Sequence, residues 1–217
     1  MTSVLLDPVG VRPDAARPDS GRPDPDSPLT RIVDATLRCI ARWGLSKTTV
    51  DDIAREAGLG RATLYRLFPG GRDAVLDAVL ATETGRFFGH LESCLTATES
   101  LEDALTVIVS EAGRALSDHR ALQFLLAHEP EIVLPHISFQ QFDAVLGVIA
   151  GNVGPLLARW LPADAGAEVA PRGAEWLARI VLSYLCAPSP DVDLTDADSV
   201  RRLVRAFILP GLAPADT

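Results

Sequence analysis

The stretch Val50-Asp-Asp-Ile-Ala-Arg-Glu-Ala-Gly-Leu-Gly-Arg-Ala-Thr-Leu-Tyr-Arg-Leu-Phe-Pro69 decides how this chain is read. Thr49 and Asp52 stand at capping-box spacing, so a short helix begins at the Thr48-Thr49 pair, runs to Ala57 and stops at Gly58. A second short helix covers Arg61 to Phe68, and Pro69-Gly70-Gly71 breaks it. Two such helices packed near a right angle need a small residue where they cross, and Ala54 supplies it. Their turn needs a residue that accepts left-handed backbone, and Gly58 supplies that. Ile53, Ala57, Leu59, Leu64 and Leu67 are spaced to wedge the pair against a preceding helix. Arg61, Ala62, Thr63, Tyr65 and Arg66 then lie on the outer face, where such donors and small groups suit major-groove edges and flanking phosphates. A generic helical hairpin shares some of these features, but their joint occurrence implies a helix-turn-helix.

The charge distribution agrees. The whole chain carries −9, which argues against a generic polyanion binder. Residues 28–80 nevertheless hold eight basic and six acidic groups, against nine and eighteen in residues 81–217. One mildly basic segment on an acidic body favours an oriented approach to DNA over promiscuous binding.

Upstream, Leu29, Ile32, Val33, Thr36, Leu37, Ile40 and Ala41 follow the spacing of one buried helix face, which ends at Gly44. Residues 1–27 repeat Arg-Pro-Asp at 12–14, 17–19 and 22–24, and proline at each step blocks regular bonding. This segment reads as a disordered tail whose net negative charge gives it no DNA role. Downstream the pattern is helical throughout. Helices are expected over Asp73–Thr96, Leu101–Ser117, Ala121–His128, Phe139–Leu161 (bent near Gly151, Gly154 and Pro155), Arg172–Cys186 and Asp196–Phe207. No period-2 strand pattern occurs, so the fold class is all-α: an N-terminal three-helix helix-turn-helix domain over 28–72 and a helical domain over 73–217.

The chain resembles the tetracycline-repressor (TetR) family of bacterial regulators. The resemblance rests on Arg31-Ile-Val-Asp-Ala35, Trp43-Gly44, Thr48-Thr-Val-Asp-Asp-Ile-Ala-Arg-Glu-Ala-Gly58, Ala62-Thr-Leu-Tyr-Arg-Leu-Phe-Pro69 and Val75-Leu76, and spans about residues 29–80. Gly60 stands where the family usually has a capping serine, and Gly70-Gly71-Arg72 replaces a shorter turn whose lysine commonly holds a phosphate. The resemblance implies a dimer on a palindromic or near-palindromic operator and a ligand pocket in the larger domain. It also implies dimerisation through the last two long helices, here Arg172–Cys186 and Asp196–Phe207. The DNA-binding set is then Lys47, Thr48, Thr49, Arg61, Ala62, Thr63, Tyr65, Arg66 and Arg72. Of these, Lys47 and Tyr65 are expected on phosphates, Arg61 and Thr63 on base edges, and Arg72 in the displaced lysine's place. The dimer set is Trp176, Ile180, Tyr184, Val200, Val204 and Phe207.

Phe87, Phe88, Leu91, Leu125, Phe139, Phe142 and Leu146 are the apolar candidates for a pocket, against the plainer reading that each is core. An effector bound there would act through the long helix starting near Asp73. His90, His128 and His136, with Glu129 and Glu131, lack metal-ligand spacing and read as solvated or hydrogen-bonded groups; no metal and no cofactor is expected. Cys39, Cys94 and Cys186 read as small buried hydrophobes in a reducing compartment. There is no phosphate loop, nucleophile elbow or zinc-protease motif. The expected partners are double-stranded operator DNA, a second copy and an unidentified apolar or amphipathic small-molecule effector, in the cytoplasm and without a membrane. A regulator whose large domain takes a protein partner or no ligand is the alternative; a helical enzyme with a vestigial DNA head ranks last.

Overall fold

The computed structural model describes residues 27–136 and 142–212. The expected tail, Ser27 apart, and Phe139 lie outside them. The described elements are α1 (Pro28–Trp43), α2 (Val50–Glu56), α3 (Arg61–Leu67), α4 (Arg72–Leu95), α5 (Leu101–Asp118), α6 (Arg120–His128), α7 (Pro130–Val133), α8 (Phe142–Leu157), α9 (Ala163–Cys186), α10 (Ala197–Leu203) and α11 (Leu209–Leu212). A single isolated bridge, Ser189 to Val192, is the one extended pairing among the described residues. The chain forms two compact units: residues up to 84 with 120–134, and 85–119 with residues from 135 onward.

In the first unit the α1 stripe is buried as its spacing predicts. Ile32, Val33 and Ala35 pack with Ile53, Ala54, Ala57, Leu64, Phe68, Val75 and Val79. Each fully buried Ile, Leu or Val contributes about 1.5–3 kcal/mol, so this cluster fixes how α2 and α3 cross α1. Leu67 is exposed, and Phe68 fills the wedge position expected of it, because Phe68 lies one turn beyond the buried Leu64. Ser27 caps α1, its hydroxyl accepting from the Thr30 N–H at 3.1 Å.

The second unit has one large core in which Leu91, Leu95, Leu105, Val109, Leu157, Leu177, Val204 and Ile208 are buried. Three expected boundaries need correction. α9 starts at Ala163 and runs through Pro171, where a break was expected. A mid-helix proline costs about 3 kcal/mol or more; Gly154 of α8 fits its bare Cα against the Pro171 backbone, while Ala170 and Ala174 are buried on either side. α8 as a regular helix ends at Leu157, and Pro155 lies inside it. α10 passes into a π-helical turn at Val204–Ile208 and then into α11, so the helical path continues to Leu212.

Candidate nucleic-acid interface

α2 starts as the sequence dictates. The Thr49 hydroxyl accepts from the Asp52 N–H at 3.2 Å while Asp52 Oδ2 accepts from the Thr49 N–H at 3.3 Å, a closed capping box. The Thr49 hydroxyl also donates to Asp52 at 2.5 Å, and this bond holds the Asp52 carboxyl below the usual range. Gly58 has φ of +64°, the left-handed turn its position requires. Arg31 of α1 reaches across and donates through Nη2 to the Ala57 carbonyl at 2.6 Å and the Gly58 carbonyl at 3.2 Å. A cation thus meets the free carbonyls at the end of α2, where the helix dipole is negative. α3 begins at Gly60 without a side-chain cap, the loss its sequence implies.

The turn between α1 and α2 is built around Leu45, and sequence reasoning missed it. Gly44 has φ 85° and ψ 166°, a region essentially reserved for glycine. A Cβ there would lie 2.6 Å from Glu129 Oε1. That carboxylate accepts from the Leu45 N–H at 2.7 Å and the Ser46 N–H at 3.3 Å. On the other side, Arg72 Nη2 donates to the Leu45 carbonyl. Glu129 and Arg72 therefore grip the turn from its N–H and carbonyl sides. Thr48 is buried, its hydroxyl donating to the Gly44 carbonyl at 2.6 Å. Of the residues expected at DNA, Thr48 is thus buried against the Gly44 carbonyl, and Arg72 is half-buried with Nη2 on the Leu45 carbonyl.

The remaining expected DNA residues are on the surface. Lys47, Thr49, Arg61, Ala62, Tyr65 and Arg66 are exposed and Thr63 is half-buried. Arg61 pairs with Asp51 at 2.9 Å and lies over the Tyr65 ring at 5.5 Å. Lys47 and Arg66 meet no carboxylate among the described residues. α3 thus presents a planar cation stacked on an aromatic, a second arginine and a threonine, and the capped start of α2 and Lys47 belong to the same unit. Such a surface can bind a phosphate backbone while reading bases.

The described pocket candidates are divided between the two units. Leu91 is fully buried core, with Phe87 and Phe88 against that same core and their rings edge to face at 5.1 Å. Leu125 belongs to the first unit, packed with Ile40, Leu45, Leu76 and Ala121. Phe142 lies under the Arg179 guanidinium at 5.2 Å, and Leu146 is buried. A groove of about 430 Å³ instead lies along Val169, Arg172, Gly173, Trp176, Gly211 and Leu212. Of the dimer candidates, Val200 and Val204 are fully buried within their own chain and so unavailable to a partner. α10 turns them inward onto the core, and the π-helical turn throws Phe207 outward to 70% exposure. Trp176 is 38% exposed, and Ile180 and Tyr184 are half-buried.

A capped α2, a left-handed turn and a polar α3 braced on α1 define a helix-turn-helix DNA-binding unit. Residues 32–79 match the family model described as bacterial regulatory proteins, tetR family. An HTH-type transcriptional regulator of Mycobacterium tuberculosis is 27% identical over 187 residues, 85% of each chain. Among solved structures, the TetR family repressor AlkX from a Dietzia strain, implicated in biodegradation of n-alkanes, superposes with a TM-score of 0.60. It is 21% identical and covers 88% of this chain and 100% of its own. The fatty acid degradation regulator FadR from Bacillus halodurans has a TM-score of 0.59 at 20% identity, covering 88% of this chain and 98% of its own. The chain carries a tetR-family DNA-binding domain over residues 32–79, and motif, relatives and fold agree on a DNA-binding transcriptional regulator.

Proposed function

We propose that this regulator is a ligand-responsive repressor that binds a palindromic operator as a homodimer. The observation that carries the proposal is the polar outer face of α3, with Arg61, Thr63, Tyr65 and Arg66 on a helix whose inner face is sealed into the α1 core. Tyr65 and Lys47 hold phosphates; Arg61, once released from Asp51, and Thr63 read base edges. An operator recovered from genomic fragments bound to the protein supplies the assay. Tyr65→Phe weakens operator and scrambled DNA alike, whereas Arg61→Ala relaxes preference at particular bases, by about 1–3 kcal/mol. Equal weakening of both DNAs by Arg61→Ala would remove its base-reading role.

The dimer contact runs through α8 and α9, a change from the α9 and α10 pairing expected from the sequence. On α8, Ala144, Gly147, Val148, Gly151, Asn152 and Pro155 are exposed at the spacing of one helix face, with no charge among them and Val148 at 47% exposure. Such a face suits close helix packing against a second copy, with Trp176 of the adjoining α9 as its aromatic anchor. The same segment, Phe142–Trp160, is by length and composition long and apolar enough to cross a membrane. A partner helix explains its open apolar face without a bilayer, in keeping with a protein that works on DNA in the cytoplasm.

The effector is apolar or amphipathic and held in the larger unit. AlkX is implicated in n-alkane biodegradation and FadR regulates fatty acid degradation, and the largely apolar second unit suits molecules of that class. Its binding and operator binding are reciprocal: each changes the other's affinity by one common factor, on the usual scale of about 1–3 kcal/mol. Titrating an acyl ligand that raises the melting temperature, with and without operator, measures that factor. A regulator with no catalytic role is the whole of this assignment.

A further inference from the structure

We propose that His90, Cys94 and Glu111 form a binding site for a divalent cation that accepts a thiolate, Zn²⁺ being the best fit. His90 and Cys94 are four residues apart on α4 and so share one face, and α5 brings Glu111 to that face. His90 Nε2 lies 2.9 Å from Glu111 Oε2 and 3.5 Å from Cys94 Sγ. All three donor atoms fall within 4.8 Å of one another.

Two features favour a cation over a hydrogen-bonded cluster. Both contacts converge on the same ring nitrogen. Nε2 can carry one proton, which serves the carboxylate and leaves the thiol facing an N–H, or it can accept from the thiol and confront the carboxylate with its lone pair. A cation at the centre satisfies all three donors together. The second feature is dimensional. Zn–N and Zn–S bonds of about 2.05 and 2.3 Å meeting at a tetrahedral angle place nitrogen and sulfur about 3.6 Å apart. The observed separation is 3.5 Å. The His90–Glu111 separation has to lengthen by about 0.4 Å to meet the same geometry, and the carboxylate oxygen lies within 4.8 Å of the sulfur.

The surroundings suit this role. Arg114 pairs with Glu111 through Oε1, and its Nε donates to the Thr195 carbonyl at 3.0 Å. The carboxylate is thus anchored by one oxygen, which leaves Oε2 directed at the site, as outer-shell partners of metal ligands commonly do. Glu111 is 19% exposed and His90 59%, so the site is seated on the protein yet open on one side for entry and for a water as fourth ligand. On binding, Cys94 gives its thiol proton to solvent and binds as thiolate, His90 binds as neutral imidazole through Nε2, and Glu111 binds as carboxylate. The one soft ligand and one imidazole select Zn²⁺ or a similar transition ion over Mg²⁺ or Ca²⁺. Occupancy would pin α4 to α5 within the second unit.

Titration of the full-length protein with Co²⁺, in the absence of reductant, tests this. One Co²⁺ per chain should give a thiolate-to-cobalt charge-transfer absorption that Zn²⁺ bleaches by displacement. Cys94→Ser should abolish it, His90→Ala should weaken Co²⁺ binding at least tenfold, and Cys186→Ser, which removes the exposed thiol elsewhere, should leave it intact. On the unmodified chain, Zn²⁺ should slow alkylation of Cys94 at least tenfold relative to Cys186. No charge-transfer band, a band that survives Cys94→Ser, or equal alkylation of the two thiols with and without Zn²⁺ would each overturn the site.

Discussion

Gly44→Ala combined with Glu129→Ala tests the turn that supports the DNA-binding helices. An alanine at 44 faces two penalties. Its backbone occupies a region at φ 85°, ψ 166° that costs on the order of 1–3 kcal/mol for a side chain. Its Cβ also meets the Glu129 carboxylate at 2.6 Å, which drives the carboxylate off the Leu45 and Ser46 amides. Hydrogen bonds to a charged acceptor contribute about 1.5–3 kcal/mol, so Gly44→Ala should cost about 3–5 kcal/mol. Glu129→Ala alone should cost about 1.5–3 kcal/mol. In the double variant the bonds are lost only once and the collision is gone. Its cost should match that of Gly44→Ala and fall short of the additive sum by about 1.5–3 kcal/mol, a coupling expected only of residues in contact. Urea unfolding followed by Trp43 fluorescence reads these differences from the midpoint, and operator affinity reports whether the turn also positions α2. Additivity within about 0.5 kcal/mol would refute the contact, and with it the account of why Gly44 is a glycine.

Two further outcomes are expected. Val148→Asp and Trp176→Asp should each convert the dimer to monomer in sedimentation with the fold retained, whereas Val204→Asp should unfold the second unit; folded dimers in the first two would place the interface elsewhere. Hydrogen bonds from Arg205 lower the Glu102 carboxyl below its ordinary value of 4.5, and bonds from Ser100 and Arg201 lower Asp103 below 3.8. Carboxyls depressed in the folded state contribute stability that is present above those ordinary values and lost as pH falls through the folded ones. Acid titration of the urea midpoint should therefore decline below about pH 4.5, with a shallower decline in Glu102→Gln; identical curves would remove the Arg201–Arg205 network from acid stability.

Local turn chemistry made the head legible. Thr49 with Asp52, Gly58 and Pro69 each act within four residues of themselves, so a single sequence carries their meaning. What escaped reading depended on residues far apart in the chain. Glu129 lies 84 residues beyond the amide it holds, and nothing near it marks it as part of a DNA-binding turn. Arg72 looked available for phosphate because a cation's partner is set by tertiary packing, here the Leu45 carbonyl. Val200 and Val204 were equivalent to Phe207 by helical spacing, until a π-helical turn changed the register between Val204 and Ile208. The helix was expected to start at Arg172, just after Pro171, because a mid-helix proline is costly in isolation, and only its neighbour Gly154 shows how it is accommodated. His90 and Cys94 were read separately, as a solvated group and a small hydrophobe, because the Glu111 that joins them is on another helix.

These engaged cations bear on how the regulator meets DNA. Of the eight basic residues in 28–80, Arg31 is bound to the end of α2, Arg72 to Leu45, Arg38 to Glu56 and Arg55 to Asp52, and Arg42 lies over the Trp43 ring. Lys47 and Arg66, with Arg61 once it is released from Asp51, remain as the cations that the site offers to DNA. In the proposed dimer two heads would neutralise about six phosphates, and a slope of about −0.9 per phosphate makes log K against log salt close to −5. Operator affinity should thus fall about a thousandfold between 50 and 200 mM salt. Engagement of every basic group in both heads would instead give a slope near −14, and the three Arg-Pro-Asp arginines of the tail would add about −5. Removal of residues 1–26, which leaves the Ser27 cap in place, should not change the slope. A measured value steeper than about −9, or one that relaxes when the tail is removed, would mean that cations assigned here to the fold or to the tail are working on DNA.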